Sequence, residues 1–193
     1  MAMDLSGASP SSWRPTRRRP RPWAAWAHWR ITGDPETALR VCGAAARAGL
    51  GRPVLRYLAD LGPLAAPYAD AVRPLLTCPG EWSRVGAAEA WWRITGDAAP
   101  AVEALLPELA PLASHRVTPV TLRTVRARGA IGRPAAAALP VLQAVMSSRR
   151  RHGGDILRDE ELFRVTRKAL SCIVQPVTPP GDGSPPRPGP ATP

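Results

Sequence analysis

The sequence predicts an all-α fold, an α-solenoid of about four to five helical hairpins, on three observations. The hexapeptide Trp-Arg-Ile-Thr-Gly-Asp at 29–34 recurs unchanged at 92–97, an offset of 63 residues. Prolines, leucines and alanines recur at a step of about 33, as in Pro74, Pro107 and Pro140. Apolar residues fall at three- and four-residue spacing without sustained strand alternation. Such a repeat is typical of a stacked array in which each unit buries its apolar face against its neighbours.

The repeated hexapeptide predicts the turn inside the first and third hairpins. Its glycine, Gly33 or Gly96, stands where a left-handed C-terminal cap is needed, and the following aspartate can cap the next helix. The second hairpin rests on the spacing of Val54 to Leu61, and the fourth on Pro134 near a helix start. A half hairpin closes the array. We expect helices near 23–32, 35–48, 53–61, 65–77, 84–94, 98–113, 117–129, 133–147 and 157–172.

Prolines punctuate the second helix of each hairpin. One set lies near the first turn, where the missing N–H costs nothing. The later set, Pro74, Pro107 and Pro140, lies six or seven residues after the first set, inside the expected helix. Because proline lacks the N–H donor and its ring clashes with the preceding turn, each of these should kink the helix or end it early.

Composition divides the chain into three parts. Residues 1–22 form a Pro/Arg-rich tail and residues 174–193 a Pro/Gly-rich tail, and both are expected to be disordered. Residues 23–173 are long enough for one domain with a core. The longest uncharged stretch, 134–148, holds two prolines and is shorter than the roughly 20 apolar residues that span a bilayer. We therefore expect no membrane partner and a cytoplasmic location.

Cysteine and histidine usage argues against a disulfide framework and against a metal site. Cys42, Cys78 and Cys172 are odd in number and widely spaced, and the chain holds three histidines. We expect the thiols to be small buried hydrophobes. Ser114 and His115 are neighbours at an expected turn, which is not the geometry of a catalytic triad. We predict no catalytic residue, no metal and no cofactor.

Several longer segments resemble a known family. They read AAEAWWRITGD at 87–97, AxxALLPEL at 101–109, AAAALPVL at 135–142 and GGDILRDEELFRVTRKAL at 153–170. These segments resemble HEAT-repeat domain proteins of the PBS-lyase-like type found in actinobacteria. The resemblance implies HEAT-like repeats over 23–173 and a role as a binding scaffold. Some relatives of the phycobilin lyases handle chromophores, but no chromophore-binding motif can be transferred residue by residue.

Tryptophan is frequent for a chain so poor in Phe and Tyr. Trp29 and Trp92 hold equivalent repeat positions, so we expect each to fill the gap that an alanine-rich core leaves between helices. Trp23 and Trp26 have no counterpart in the later repeat. They are interpreted as a cap on the open end of the array or, alternatively, as a docking surface, and the cap is preferred.

The formal charge of +11 is localised. Residues 1–21 carry a net +4, while residues 116–152 carry +8 and no acid. If 117–129 is helical, Arg116, Arg123 and Arg126 fall near one face. This acid-free segment is either a solvated face or a surface that grips an acidic peptide or a phosphate backbone. The binding candidates are Arg116, Arg123, Arg126, Arg128, Arg149, Arg150, Arg151, Trp23 and Trp26.

The sequence thus predicts a non-catalytic HEAT-repeat scaffold that mediates protein–protein interaction through the Arg-rich segment 116–151. A protein or acidic peptide is preferred as the partner because residues 116–152 contain no Trp, Tyr or Phe on which bases could stack. One alternative is a nucleic-acid-binding HEAT-like protein. A second alternative is a lyase-like enzyme of the PBS-lyase HEAT type.

Overall fold

The structure is a computed structural model that describes residues 21–49, 51–152 and 154–174. All regular elements within these ranges are helical and none is a strand, which confirms the all-α prediction. The two expected tails, 1–22 and 174–193, lie almost entirely outside the described residues, since residues 1–20 and 175–193 are not described.

In chain order the helices are α1 (Pro22–Thr32), α2 (Glu36–Arg47), α3 (Gly51–Leu61), α4 (Ala69–Val72), α5 (Glu81–Thr95), α6 (Ala98–Leu105), α7 (Ala110–Ala113), α8 (Pro119–Ile131), α9 (Leu139–Ser147) and α10 (Ile156–Val174). By their contacts we group α1, α3, α5, α8 and α10 as a first layer, in which each helix packs on the next one in this series. The other helices, α2, α4, α6, α7 and α9, form the second layer, and short 3₁₀ segments adjoin all of these except α2.

The repeated hexapeptide folds in the same way twice. Gly33 and Gly96 end α1 and α5 with left-handed φ angles of 81° and 72°, and their N–H groups donate to Trp29 O and Trp92 O. In both copies the threonine hydroxyl accepts from the aspartate N–H, at 3.3 and 3.1 Å. The aspartate carboxylate then accepts from the N–H two residues on, at 3.0 and 3.1 Å. The predicted caps are confirmed.

The second-layer helices are broken where the prolines predict it. Helix α2, without an internal proline, is continuous, whereas the expected helices at 65–77, 98–113 and 133–147 are each divided into 3₁₀ and α segments. Pro67, Pro74 and Pro107 lie in the 3₁₀ segments, and Pro140 lies in the first turn of α9. The missing proline N–H shifts the local pattern from α to 3₁₀. The expected helix boundaries over these three ranges are therefore wrong, because each range contains shorter α and 3₁₀ segments.

Small residues set the spacing of the core. Leu58, Leu105 and Leu142 are fully buried among alanines. At Gly129 in α8, an added Cβ would lie 2.9 Å from the Cα of Ala169 in α10, so the two backbones approach too closely for any side chain. Helix packing in this array thus depends on small residues that let neighbouring helices meet.

The tryptophans pack partly as expected. Trp29 and Trp92 are partly buried against the core. The deeper ring belongs to Trp91, which is 8% exposed and which the repeat comparison did not single out. The guanidinium carbon of Arg73, in the 3₁₀ segment before α5, lies over this ring, 5.8 Å from its centroid.

Among the residues described, no helix is both long and apolar enough to cross a membrane.

Candidate binding surfaces

The Arg-rich segment does not form one surface, because Arg128 is buried. It lies on the core side of α8 with no exposed area, and its Nη2 donates to Val102 O at 2.8 Å. Burial lowers the pKa of the Arg128 guanidinium from 12.5 to about 10. Helix α8 packs on α5, α6 and α10, so it has little free face. The prediction that Arg128 is a surface binding residue is wrong.

Arg123 and Arg126 do reach the surface of α8, but each has an acidic partner from a neighbouring helix. Arg123 binds Glu89 of α5, with 2.5 Å between Nη2 and Oε2, and Arg126 binds Glu161 of α10. The segment that carries no acid in the sequence is therefore partly neutralised in space. The pKa of Glu161 is lowered by its hydrogen bond to Arg164 and by the charges of Arg164 and Arg126.

These ion pairs belong to a series of four polar contacts between successive first-layer helices. Trp26 Nε1 donates to Asp60 Oδ2 at 3.1 Å, and Arg93 lies 3.5 Å from the other oxygen of Asp60. The four contacts join residues 33 to 35 positions apart, which is about one repeat length. A search for opposite charges at the repeat spacing could have found the three ion pairs from the sequence, but not the hydrogen bond between Trp26 and Asp60.

Four other arginines lie on two loops that contact each other. Arg116 lies in the loop before α8, Arg149, Arg150 and Arg151 lie in the loop before α10, and all four are exposed. The loops meet where His115 Nδ1 and His152 Nε2 lie 3.2 Å apart. Among the described residues no carboxylate lies within ion-pair distance of these arginines. We call this set the arginine rim.

The histidine contact is partly buried and is fixed from both sides. His115 has a left-handed φ of 52°, unusual for a residue other than glycine. The His152 N–H donates to Asp159 Oδ1 at 2.7 Å, and the His152 side chain is buried. Burial, followed by the charge of His115, lowers the pKa of His152. The loop of Arg149, Arg150 and Arg151 is therefore anchored by a buried histidine, His152, whose neutral form is favoured.

The two N-terminal tryptophan candidates differ in their surroundings. Trp26 is half-buried, and its ring centroid lies 5.5 Å from that of Tyr57 in α3. With its hydrogen bond to Asp60, this contact ties α1 to the next hairpin, as expected for a cap. Trp23 is 55% exposed and remains an apolar contact candidate at the first end of the array.

The three thiols are free and lie in different surroundings. Cys42 is buried, and burial raises the pKa of its thiol to about 11. Cys78 is half-buried and Cys172 is exposed, so the expectation of buried thiols holds for Cys42 alone. A raised pKa works against thiolate nucleophilicity at Cys42. Within the described ranges, no group of three or more His, Cys, Asp or Glu residues could hold a metal ion.

Comparisons of this chain with family models, with curated proteins and with solved structures return no match. Its function therefore has to be argued from its own residues.

Proposed function

We propose that this chain is a non-catalytic HEAT-type solenoid that binds an acidic segment of another protein through the arginine rim. The observation that carries this proposal is the His115–His152 contact, which joins the loop of Arg116 to the loop of Arg149, Arg150 and Arg151. Exposed guanidiniums without an acidic neighbour in the described residues retain their charge for a partner. Arginine forks bind carboxylates with two parallel hydrogen bonds.

The repeat-scaffold part of the proposal is supported by the pattern of helix contacts. First-layer helices pack in series, and successive second-layer segments also contact one another. The equivalent capping geometry at Gly33 and Gly96 adds a repeated local structure. Contacts confined to neighbouring units are typical of solenoids, whose surfaces serve as binding platforms.

An acidic protein segment fits the rim better than a nucleic acid does. Phosphate-tracking grooves usually combine their charges with aromatic rings on which bases stack. Residues 116–152 supply no Trp, Tyr or Phe. We place the protein in a reducing cytoplasm, a proposal supported by its three free thiols.

The test is a titration of a fluorescent peptide rich in Glu and Asp, followed by anisotropy at fixed ionic strength. The rim variant R149Q/R150Q/R151Q should bind about tenfold more weakly than the unmodified chain, because three exposed, solvent-screened charge contacts are lost. A control variant, R30Q/R40Q/R167Q, changes exposed arginines elsewhere and lowers the net charge equally.

Equal loss of affinity in the rim and control variants would show that only net charge matters, and the proposed site would be wrong. A labelled DNA duplex provides the second arm of the titration. Rim-dependent binding of the duplex that is tighter than that of the peptide, with a steep fall as salt rises, would favour the nucleic-acid alternative.

A further inference from the structure

A second basic site lies among three first-layer helices and shares no residue with the arginine rim. It is a cleft of about 300 Å³ between α3, α5 and α8. Its walls combine three guanidiniums with an indole ring, a leucine and a glycine. The lining residues are Arg52, Leu55, Arg56, Trp82, Gly86 and Arg123.

The sequence places these residues together through helical spacing. Arg52 and Arg56 are four residues apart in α3, and Trp82 and Gly86 are four residues apart in α5, so each pair shares a helix face. Helix α8 contributes Arg123 from the neighbouring first-layer position. Glycine at position 86 keeps the cleft open, because an added Cβ would lie 3.2 Å from Leu55 Cδ1 and 3.8 Å from Arg123 Nη2.

Each guanidinium is held in position by a neighbouring group. The guanidinium carbon of Arg52 lies over the Trp82 ring, 5.5 Å from its centroid. That of Arg56 lies over the Tyr57 and Trp26 rings, at 5.4 and 5.8 Å. A ring under the guanidinium face leaves the in-plane N–H donors free for a ligand. Restricting these long side chains in advance reduces the entropy lost when a ligand binds.

The charges of the cleft are only partly balanced. Arg123 Nε and Nη2 both donate to Glu89 Oε2, so this pair is close to neutral. Arg52 and Arg56 have no carboxylate within ion-pair distance in the part of the chain that the structure describes. Two positive charges therefore remain at the mouth of a small cavity. A ligand with two negative charges balances them, whereas a single carboxylate leaves one unpaired.

We propose that this cleft binds the dianionic phosphate group of a small phosphomonoester. The two unpaired arginines supply forked N–H donors that match phosphate oxygens. Leu55 and Trp82 supply an apolar and aromatic wall for the part of the ligand that carries the phosphate. The volume is at the small end of the range for ligand pockets, which suits a compact metabolite-sized molecule. This site does not depend on the scaffold proposal.

The experiment uses phenyl phosphate and benzoate as probes, with binding to the full chain measured by isothermal titration calorimetry. The two probes share an aromatic ring but carry two charges and one charge near neutral pH. Phenyl phosphate should bind at least about tenfold more tightly than benzoate at pH 7.5. Its affinity should fall as the pH drops through about 6, where a phosphomonoester loses its second charge.

Two variants separate the charges of the cleft from its shape. R52Q/R56Q should weaken phenyl phosphate binding about tenfold or more, while R40Q/R167Q, with the same change in net charge outside the cleft, should leave it within about twofold. G86A keeps every charge but narrows the cavity, and it should also weaken binding. Circular dichroism of each variant checks that the helical fold is retained.

The proposal is overturned if benzoate binds as tightly as phenyl phosphate, or if R52Q/R56Q and R40Q/R167Q lose affinity equally. It is also overturned if phenyl phosphate does not bind to the unmodified chain at millimolar concentration. If R52Q/R56Q fails to fold, the comparison of G86A with R40Q/R167Q decides the question. Equal affinity in those two variants would then contradict the site.

Discussion

Replacing the buried Arg128 by methionine should stabilise the protein. The guanidinium has no exposed area, and Nη2 is its one nitrogen with a hydrogen bond, since neither Nε nor Nη1 has a partner in the structure. Burial lowers its pKa from 12.5 to about 10. At 1.36 kcal/mol per unit, this shift corresponds to about 3 kcal/mol of destabilisation of the charged folded state.

The hydrogen bond that would be lost offsets part of this gain. In a continuous helix the Leu106 N–H would donate to Val102 O, but before Pro107 it donates to Glu103 O. The Arg128 guanidinium donates to Val102 O in its place. Leaving the Val102 carbonyl without this donor costs about 1–2 kcal/mol. Methionine has a similar length and fills irregular space. The net expectation is a gain of about 1–2 kcal/mol in the free energy of unfolding.

Urea denaturation followed by far-ultraviolet circular dichroism measures this change. R128A removes the same charge but also leaves a cavity, so its free energy of unfolding should be about 2–5 kcal/mol lower than that of R128M. R126M, at the exposed end of an ion pair on the same helix, should change it by less than about 1 kcal/mol. If R128M loses as much stability as R128A, the Arg128 charge is compensated in the folded state, and the claim that its burial destabilises the protein is wrong.

Three further variants test local features in the same denaturation assay. Gly129→Ala should cost about 1–3 kcal/mol, because its Cβ would meet the Ala169 backbone at 2.9 Å; an unchanged free energy would contradict the close approach of α8 and α10. Asp97→Ala removes the carboxylate that accepts from the Ala99 N–H and should cost about 1 kcal/mol, and the equivalent Asp34→Ala should cost a similar amount; no loss in either would disprove the caps. The pKa of His152 is lower in the folded protein than in the unfolded chain, so the unfolded chain binds more protons below about pH 6.5 and stability should decline as the pH falls through that value. His152→Gln should flatten this decline, and a decline of the same slope in the variant would refute the assignment.

Local features of the fold could be predicted from the sequence because they depend on neighbouring residues. The hexapeptide at 29–34 and 92–97 predicted two helix ends and two caps, since glycine supplies the left-handed conformation and aspartate the acceptor. The prolines at 74, 107 and 140 predicted breaks in the second layer. The division of those helices into 3₁₀ and α segments was missed, because proline spacing does not determine how the chain continues past the break.

The candidate site was predicted less well because burial and pairing are properties of packed helices. Arg128 reads in the sequence like its exposed neighbour Arg126, and only the contacts of α8 with three other helices bury it. The acid-free run 116–152 acquires acids from α5 and α10, one repeat away on either side. The cleft between α3, α5 and α8 was missed for a related reason. Its two unpaired arginines, Arg52 and Arg56, lie in residues 22–115, whose net charge is −1.

The most direct test of the arginine rim is an amide chemical-shift titration of the isotope-labelled chain with the peptide rich in Glu and Asp. If the peptide binds at the rim, the largest chemical-shift changes should cluster in the two loops joined by His115 and His152, at residues 115–118 and 148–152. Shifts in both loops should follow one binding curve, because the rim arginines contact the same ligand. Shift changes spread evenly over exposed arginines of both layers, with no cluster in these loops, would contradict binding at the arginine rim.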